Sequence, residues 1–162
     1  MTADDAADSR KSIVIAARQV LVIKIGDGML ACIDLVNVER TISLLAVQAM
    51  PGGASYVAGI MNYAGNSLVV IDLAIRLGLQ SSPYTLDTPI VVCVYEQHRI
   101  GVIVRDIVGI QTLQQKDMQL TRELGGYGAT FRASAHTDQG LALLLDDAWL
   151  TQSELYCFAP KG

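Results

Sequence analysis

Short apolar runs separated by turn residues set the rhythm of this chain. Val20–Ile25 reads as an alternating run, Asp27-Gly28 follows, and Met29–Ile33 returns. That pattern predicts a β-hairpin on a two-residue turn. Ile13–Arg18 reads as a lead-in strand or a helical turn. The apolar positions Leu35, Val36, Val38 and Ile42 predict a turn and a third strand. Leu44–Met50 fits helix and strand equally and stops at Pro51-Gly52-Gly53. The most informative stretch is Tyr56–Leu79, YVAGIMNYAGNSLVVIDLAIRLGL. It predicts a strand to Tyr63, a turn at Ala64-Gly65-Asn66 and a buried strand over Leu68–Leu73. A short helix over Ala74–Leu77 follows and is stopped by Gly78.

Ser81-Ser82-Pro83 opens a polar connection that runs to Thr88. Pro89–Tyr95 (PIVVCVY) is apolar almost throughout and predicts a strand buried on both faces. Glu96-Gln97-His98 is a turn. Arg99–Ile110 predicts a strand pair or one long bent strand, with Gly101 and Gly109 as bulge or kink points. Gln111–Leu120 is polar and weakly patterned, and Leu124–Gly128 reads as a flexible loop. Thr130–Ala135 and Leu141–Leu145 flank a turn at Asp138-Gln139-Gly140. Asp146–Leu155 predicts a C-terminal helix with Asp146 or Asp147 near its N-cap.

About nine or ten short strands at regular spacing suggest small barrels or a sandwich. A division at Ser81–Thr88 leaves two halves of similar size, the barrel halves being split and interleaved near there. Each half holds a hairpin followed by an Asp-initiated helix, VVIDLAIRL and LLLDDAWL. Residues 1–12 are expected to be a disordered tail, 13–156 the folded domain and 157–162 a C-terminal tail.

Composition narrows the picture. A length of 162 residues suits one domain or two small subdomains sharing a core. The 51% apolar and 17% charged fractions leave apolar side chains over for an interface, and 6% aromatic makes the core aliphatic. A net charge of −4 without a basic stripe argues against nucleic acid or anionic lipid as a partner. Cys32, Cys93 and Cys157 are odd in number and widely spaced, which fits buried free thiols in a reducing compartment. The opening MTADDAADSRKS lacks the apolar region of a signal peptide. No apolar run reaches the roughly 18 residues of a spanning helix. The chain reads as cytoplasmic and not inserted in membrane.

Candidate chemistry is sparse. The chain has neither a GxSxG elbow nor a phosphate loop, and Gly52-Gly53 and Gly125-Gly126 read as turns. His98 and His136 lack a metal-ligand partner at helical spacing. Asp72 is an acid inside an apolar strand. It reads as the cap of the following helix, since a buried carboxylate needs hydrogen bonds and no second acid or base sits at a useful spacing. Asp146 reads the same way, and Asp106 beside Arg105 reads as a solvated pair. No catalytic residue, cofactor or metal is expected. These residues describe a binding protein. Two other readings stay open: a β-barrel sensor enclosing an apolar ligand, and an enzyme using Cys93 or Asp72.

The order of segments over Val20–Leu155 resembles the CheW-like coupling proteins of bacterial chemosensory arrays. Leu21-Val22-Ile23-Lys24-Ile25-Gly26-Asp27 resembles the family's opening strand. Val36–Arg40 resembles its "VxEI" segment, with either Glu39 or Arg40 at the acidic position. Pro51, then Gly59, Asn62, Gly65, Asp72 and Leu73, resemble the signature "GvxNLRGxivPviDLrxxlgl". Gly101–Val104, Val108–Ile110 and Leu143–Asp146 resemble later blocks. The resemblance implies two small five-stranded SH3-like β-barrels packed on a shared apolar core, with short helices. It implies a non-enzymatic adaptor between the cytoplasmic tip of a methyl-accepting chemoreceptor and the regulatory domain of a CheA-type histidine kinase. Barrel edges that dock on such a domain could also pair with a second copy, so a homo-oligomer is a further expectation. Carried onto this sequence, the partner-binding residues at the groove and edge are Val38, Glu39, Arg40, Gly59, Asn62, Ala64 and Gly65. For Gly59 and Gly65, backbone geometry alone is an equal reading. The chain departs from the pattern at Ala64, where the motif has Arg, at Val69, where it has Pro, and at Arg105, where it has Asp.

Overall fold

Strand alternation explains how so aliphatic a chain buries itself. A computed structural model describes residues 17–44, 47–120 and 130–150. Among these described residues eleven strands run in chain order: β1 Arg18–Ile25, β2 Met29–Asp34, β3 Val38–Ser43, β4 Val57–Tyr63, β5 Asn66–Asp72, β6 Pro89–Tyr95, β7 His98–Ile103, β8 Asp106–Leu113, β9 Met118–Leu120, β10 Phe131–Thr137 and β11 Gly140–Leu145. They form a six-stranded sheet in the order β8-β1-β2-β11-β10-β9 and a five-stranded sheet in the order β3-β6-β7-β5-β4. Each sheet curls into a small SH3-like barrel.

Successive side chains on a strand face opposite ways. On β1, Val20 and Val22 enter the six-stranded barrel with Cys32, Leu113 and Leu144. Leu21, Ile23 and Ile25 face the other way and meet Ile71, Val91, Ile100 and Val102 of the five-stranded sheet. On β6, Ile90 and Val92 fill the five-stranded barrel with Met61, Leu68 and Val70. Val91 and Cys93 join the core between the barrels. The PIVVCVY run is therefore apolar on both faces because it serves two cores. Each such Val, Ile or Leu contributes roughly 1.5–3 kcal/mol on burial.

The two sheets share one plan. In each, a hairpin (β1-β2 or β6-β7) pairs in parallel with a strand from elsewhere in the chain (β11, which follows its hairpin, or β5, which precedes it). That parallel strand runs into an Asp-capped helical turn. Asp72 Oδ1 accepts from the Ile75 N–H at 3.2 Å and starts the helix Leu73–Arg76. Asp146 Oδ1 accepts from the Trp149 N–H at 2.9 Å and starts the helical turn at 147–150. Asp146, not Asp147, is that cap.

Several expectations need correction. Ser81–Thr88 does not divide the halves: it joins β5 and its helix to β6 of the same sheet. The chain changes sheet at the 3-10 turn Leu35–Asn37 and again at Val104-Arg105, where the Val104 N–H reaches Pro89 O and the Arg105 N–H reaches Lys24 O. Arg99–Ile110 accordingly contains two strands in different sheets. The first hairpin loop has three residues, since Ile25 pairs with Met29 and both Gly26 and Gly28 take positive φ. Gly109 lies at the bulge between β8 and β1. Gly101 makes no bulge: its register is continuous, and a Cβ there would stand 3.2 Å from Ile90, Leu68 and Val70 side chains. The six-stranded sheet exceeds the expected five strands by β9, which lies in the weakly patterned Gln111–Leu120. The predicted features at residues 1–16, 121–129 and 151–162, including both tails, the Leu124–Gly128 loop and Cys157, lie outside the described residues.

Candidate functional site

The seven partner-binding candidates lie on the edge strands of the five-stranded sheet, β3 and β4, and on the turn that follows β4. β3 pairs with β6 through a bulge. Val38 opposes Cys93 and Arg40 opposes Val92, so Glu39 is the extra residue. The Glu39 carboxylate takes both Arg99 Nε and a terminal Arg99 nitrogen, at 3.0 and 2.9 Å. It also accepts from the Tyr63 hydroxyl at 2.8 Å. These bonds, Arg99 first and Tyr63 second, hold the Glu39 carboxyl below the usual glutamate range. The Arg99 guanidinium also lies 5.9 Å from the Tyr63 ring centre. Arg40 is exposed beside this cluster, while Val38 packs inward on the shared core.

At the end of β4, Tyr63 pairs with Asn66 across a two-residue turn. Ala64 and Gly65 both take positive φ, 50° and 84°, as the twist of a tight hairpin requires. Asn62 Oδ1 accepts from the Gly65 N–H at 3.0 Å and braces the turn. Asn62, Ala64 and Gly65 are exposed. Gly59 is different. It is buried, its φ is 152°, and a Cβ there would lie 2.1 Å from the carbonyl oxygen of Gln48. Glycine is needed because the chain beyond β3 crosses β4 there, with Gln48 and Ile60 exchanging backbone hydrogen bonds. The Glu39–Tyr63 bond thus draws the β3 and turn candidates into one exposed end of the barrel, with Val38 and Gly59 beneath it. Tyr63 and Arg99 were not among the sequence candidates. Their bonds to Glu39 span 24 and 60 residues, so no local pattern reveals them.

Between the barrels lies a cleft of about 380 Å³ lined by Met29, Leu79, Phe131 and Leu143. Above it the Arg76 guanidinium stands 4.9 Å from the Tyr56 ring and 4.4 Å from the Trp149 ring. None of the seven partner-binding candidates lines this cleft. A cavity of about 620 Å³ is bounded by the 81–88 segment and the first hairpin loop, outside both barrel interiors. Asp72 stands at its wall, where its Oδ2 accepts from the Ser81 and Tyr84 hydroxyls. Among the described residues the buried aliphatic side chains fill three cores. Burial, with the Asp34 charge second, pushes the Cys32 thiol up to about 12. Burial pushes Cys93 above the ordinary thiol range as well. Neither thiol is a nucleophile near neutral pH.

A second polar cluster ties the six-stranded barrel together. Asp34 Oδ2 accepts from Arg18 at 2.8 Å and from Arg132 at 2.9 Å. Asp147 Oδ2 accepts from Asn37 at 2.7 Å. Burial first, and the Asp34 charge second, push the Asp147 carboxyl up to about 7.

The family model of the CheW-like domain matches residues 19–154. The chain belongs to the CheW-like family. It is 29% identical over 114 residues to the probable chemotaxis protein CheW of Rhizobium etli, covering 70% of this chain and 73% of that one. It is 25% identical over 128 residues to the chemotaxis protein CheW of Thermotoga maritima, covering 79% and 83%. The CheW-like fold is shared with the crystal structure of the scaffolding protein TtCheW from Thermoanaerobacter tengcongensis. That superposition has a TM-score of 0.72 at 18% identity and covers 80% of this chain and 88% of that one. Among the described residues no helix is long and apolar enough to cross a membrane.

Proposed function

We propose that this CheW-like chain is a non-enzymatic cytoplasmic adaptor of a chemosensory array, coupling a chemoreceptor tip to the regulatory domain of a CheA-type histidine kinase. The observation that carries the reading is the family match across residues 19–154. The barrel end at β3 and the 64–65 turn supports it. Irregular edges that keep polar side chains outward suit contact with another barrel and discourage indiscriminate pairing. Glu39, Arg40, Asn62, Ala64 and Gly65 form the contact surface, and Val38 and Gly59 set its backbone. Arg40 gives this surface its outward positive charge, since the Glu39 carboxylate is engaged by Arg99.

The test is calorimetry with the CheA-type regulatory domain from the same genome, using the natural chain and Ala64→Arg side by side. Micromolar or tighter binding by the natural chain supports the adaptor role with Ala64 in place. Binding by the Ala64→Arg variant alone would mean that this chain has lost its kinase contact. Binding by neither would overturn the kinase half of the reading. Sedimentation of the free chain checks whether the same edge joins two copies.

A further inference from the structure

We infer that Glu39, Tyr63 and Arg99 form a latch across the seam of the five-stranded barrel, with Arg99 as the positioning residue that holds the Glu39 carboxylate. The three side chains come from β3, β4 and β7, which are the two edges of the sheet and a strand between them. Both edges carry an irregularity, β3 at the latch itself and β4 at the end away from Tyr63. The ladder of β3 is broken by the bulge at Glu39, and that of β4 shifts between Val57 and Gly59. Backbone pairing crosses the seam at Gln48 and Ile60. The Tyr63–Glu39 bond crosses it again at the turn end of β4.

A bulged residue has no cross-strand neighbour to orient its side chain, so its direction must come from elsewhere. The fork of a guanidinium fits a carboxylate through two parallel bonds and fixes its plane as well as its position. Arg99 makes that two-point contact. The remaining acceptor capacity of Glu39 then falls in front of the Tyr63 hydroxyl, and Arg99 approaches the Tyr63 ring as well. The signature turn supplies no cation for this purpose, because Ala64 stands where the motif has Arg. In this chain the cation comes from β7. That the latch shapes a docking edge rests on the adaptor reading; that it holds the seam does not.

The test is a pH titration of the Glu39 side-chain carboxyl by carbon NMR in the free full-length chain, with amide hydrogen exchange at Arg40 and Tyr63. In the natural chain the Glu39 midpoint lies below that of an ordinary glutamate. Arg99→Ala is expected to raise it toward the ordinary value, the Tyr63 bond and the Arg40 charge keeping part of the lowering, and to speed exchange at both amides several-fold. Arg99→Gln, which keeps the apolar stem, should do the same, and Arg99→Lys should restore the midpoint in part. Arg40→Ala removes a neighbouring cation that makes no bond to Glu39 and should move the midpoint less. An unchanged midpoint and exchange in Arg99→Gln would overturn the latch. So would an equal shift in Arg40→Ala, which would mean general field and not contact. Kinase binding is read separately. If the natural chain fails to bind while these shifts appear, the adaptor reading falls and the latch stands.

Discussion

Asp147 shows how one residue can carry a pH dependence for the whole fold. In the folded chain, burial and the nearby Asp34 charge keep its carboxyl protonated up to about pH 7, against 3.8 ordinarily. A carboxyl whose pKa rises on folding binds its proton more tightly in the native state. Its contribution is complete below about pH 4 and is lost as pH rises to about 7. The groups facing the Asp34–Asp147 pair are Arg18 from β1, Asn37 from the 3-10 turn and Arg132 from β10. Urea midpoints, followed by the fluorescence of the single tryptophan, Trp149, should therefore fall between about pH 4 and about pH 7. Asp147→Asn should flatten that fall, because an amide has no proton to lose. Parallel profiles for the two proteins would mean that Asp147 is not the group responsible. Nothing local in the sequence marks this pair, since Asp34 and Asp147 lie at opposite ends of the fold's chain order.

At the scale of elements, the strand–turn–strand unit of β4 and β5 separates two uses of glycine. Gly65 sits in open space and serves only the positive φ of the turn. Gly65→Ala should cost roughly 1–2 kcal/mol, the penalty of the left-handed region for a residue with a Cβ. Gly59 has Gln48 backbone against it, so Gly59→Ala must push a strand segment away. Its cost should reach roughly 2–4 kcal/mol, the range of strained core substitutions. Urea unfolding of the two variants side by side reads the difference, and equal costs would refute the close-approach reading of Gly59. Caps were easier to foresee. An acid ending an apolar run and opening a helix can satisfy its charge with helix N–H groups, as Asp72 and Asp146 do. Asp72 also anchors Ser81 and Tyr84, a loop role invisible in its neighbours.

At the scale of the molecule, Arg76 joins the barrels from outside the core. It leaves the helix after β5 of one sheet and lies between Tyr56 and Trp149, the latter following β11 of the other. Each ring contact is worth about 0.5–2 kcal/mol depending on its exposure. Arg76→Ala should lower stability by about 1–3 kcal/mol and shift the Trp149 emission. Arg76→Lys should recover little, because an ammonium cannot stack its face on two rings. Full recovery by lysine would reduce the contact to plain charge.

The sequence by itself determined most of the strands and turns, the two Asp caps and the mainly β class. Each follows from short-range physics: side-chain alternation, positive φ at turns and the unsatisfied N–H groups of a helix start. It also carried the family, through the order of weak motifs spread along the chain. The sheet boundaries, the Glu39–Tyr63–Arg99 latch, the Asp34–Asp147 pair and the reason for Gly59 were decided only by tertiary structure. The chain changes sheet at Leu35–Asn37 and Val104-Arg105, where composition shows no break, and not at the polar Ser81–Thr88 segment. Strands apolar on both faces do not reveal which face meets which core. Polar partners brought together by β pairing across the barrel leave no periodic trace in the chain.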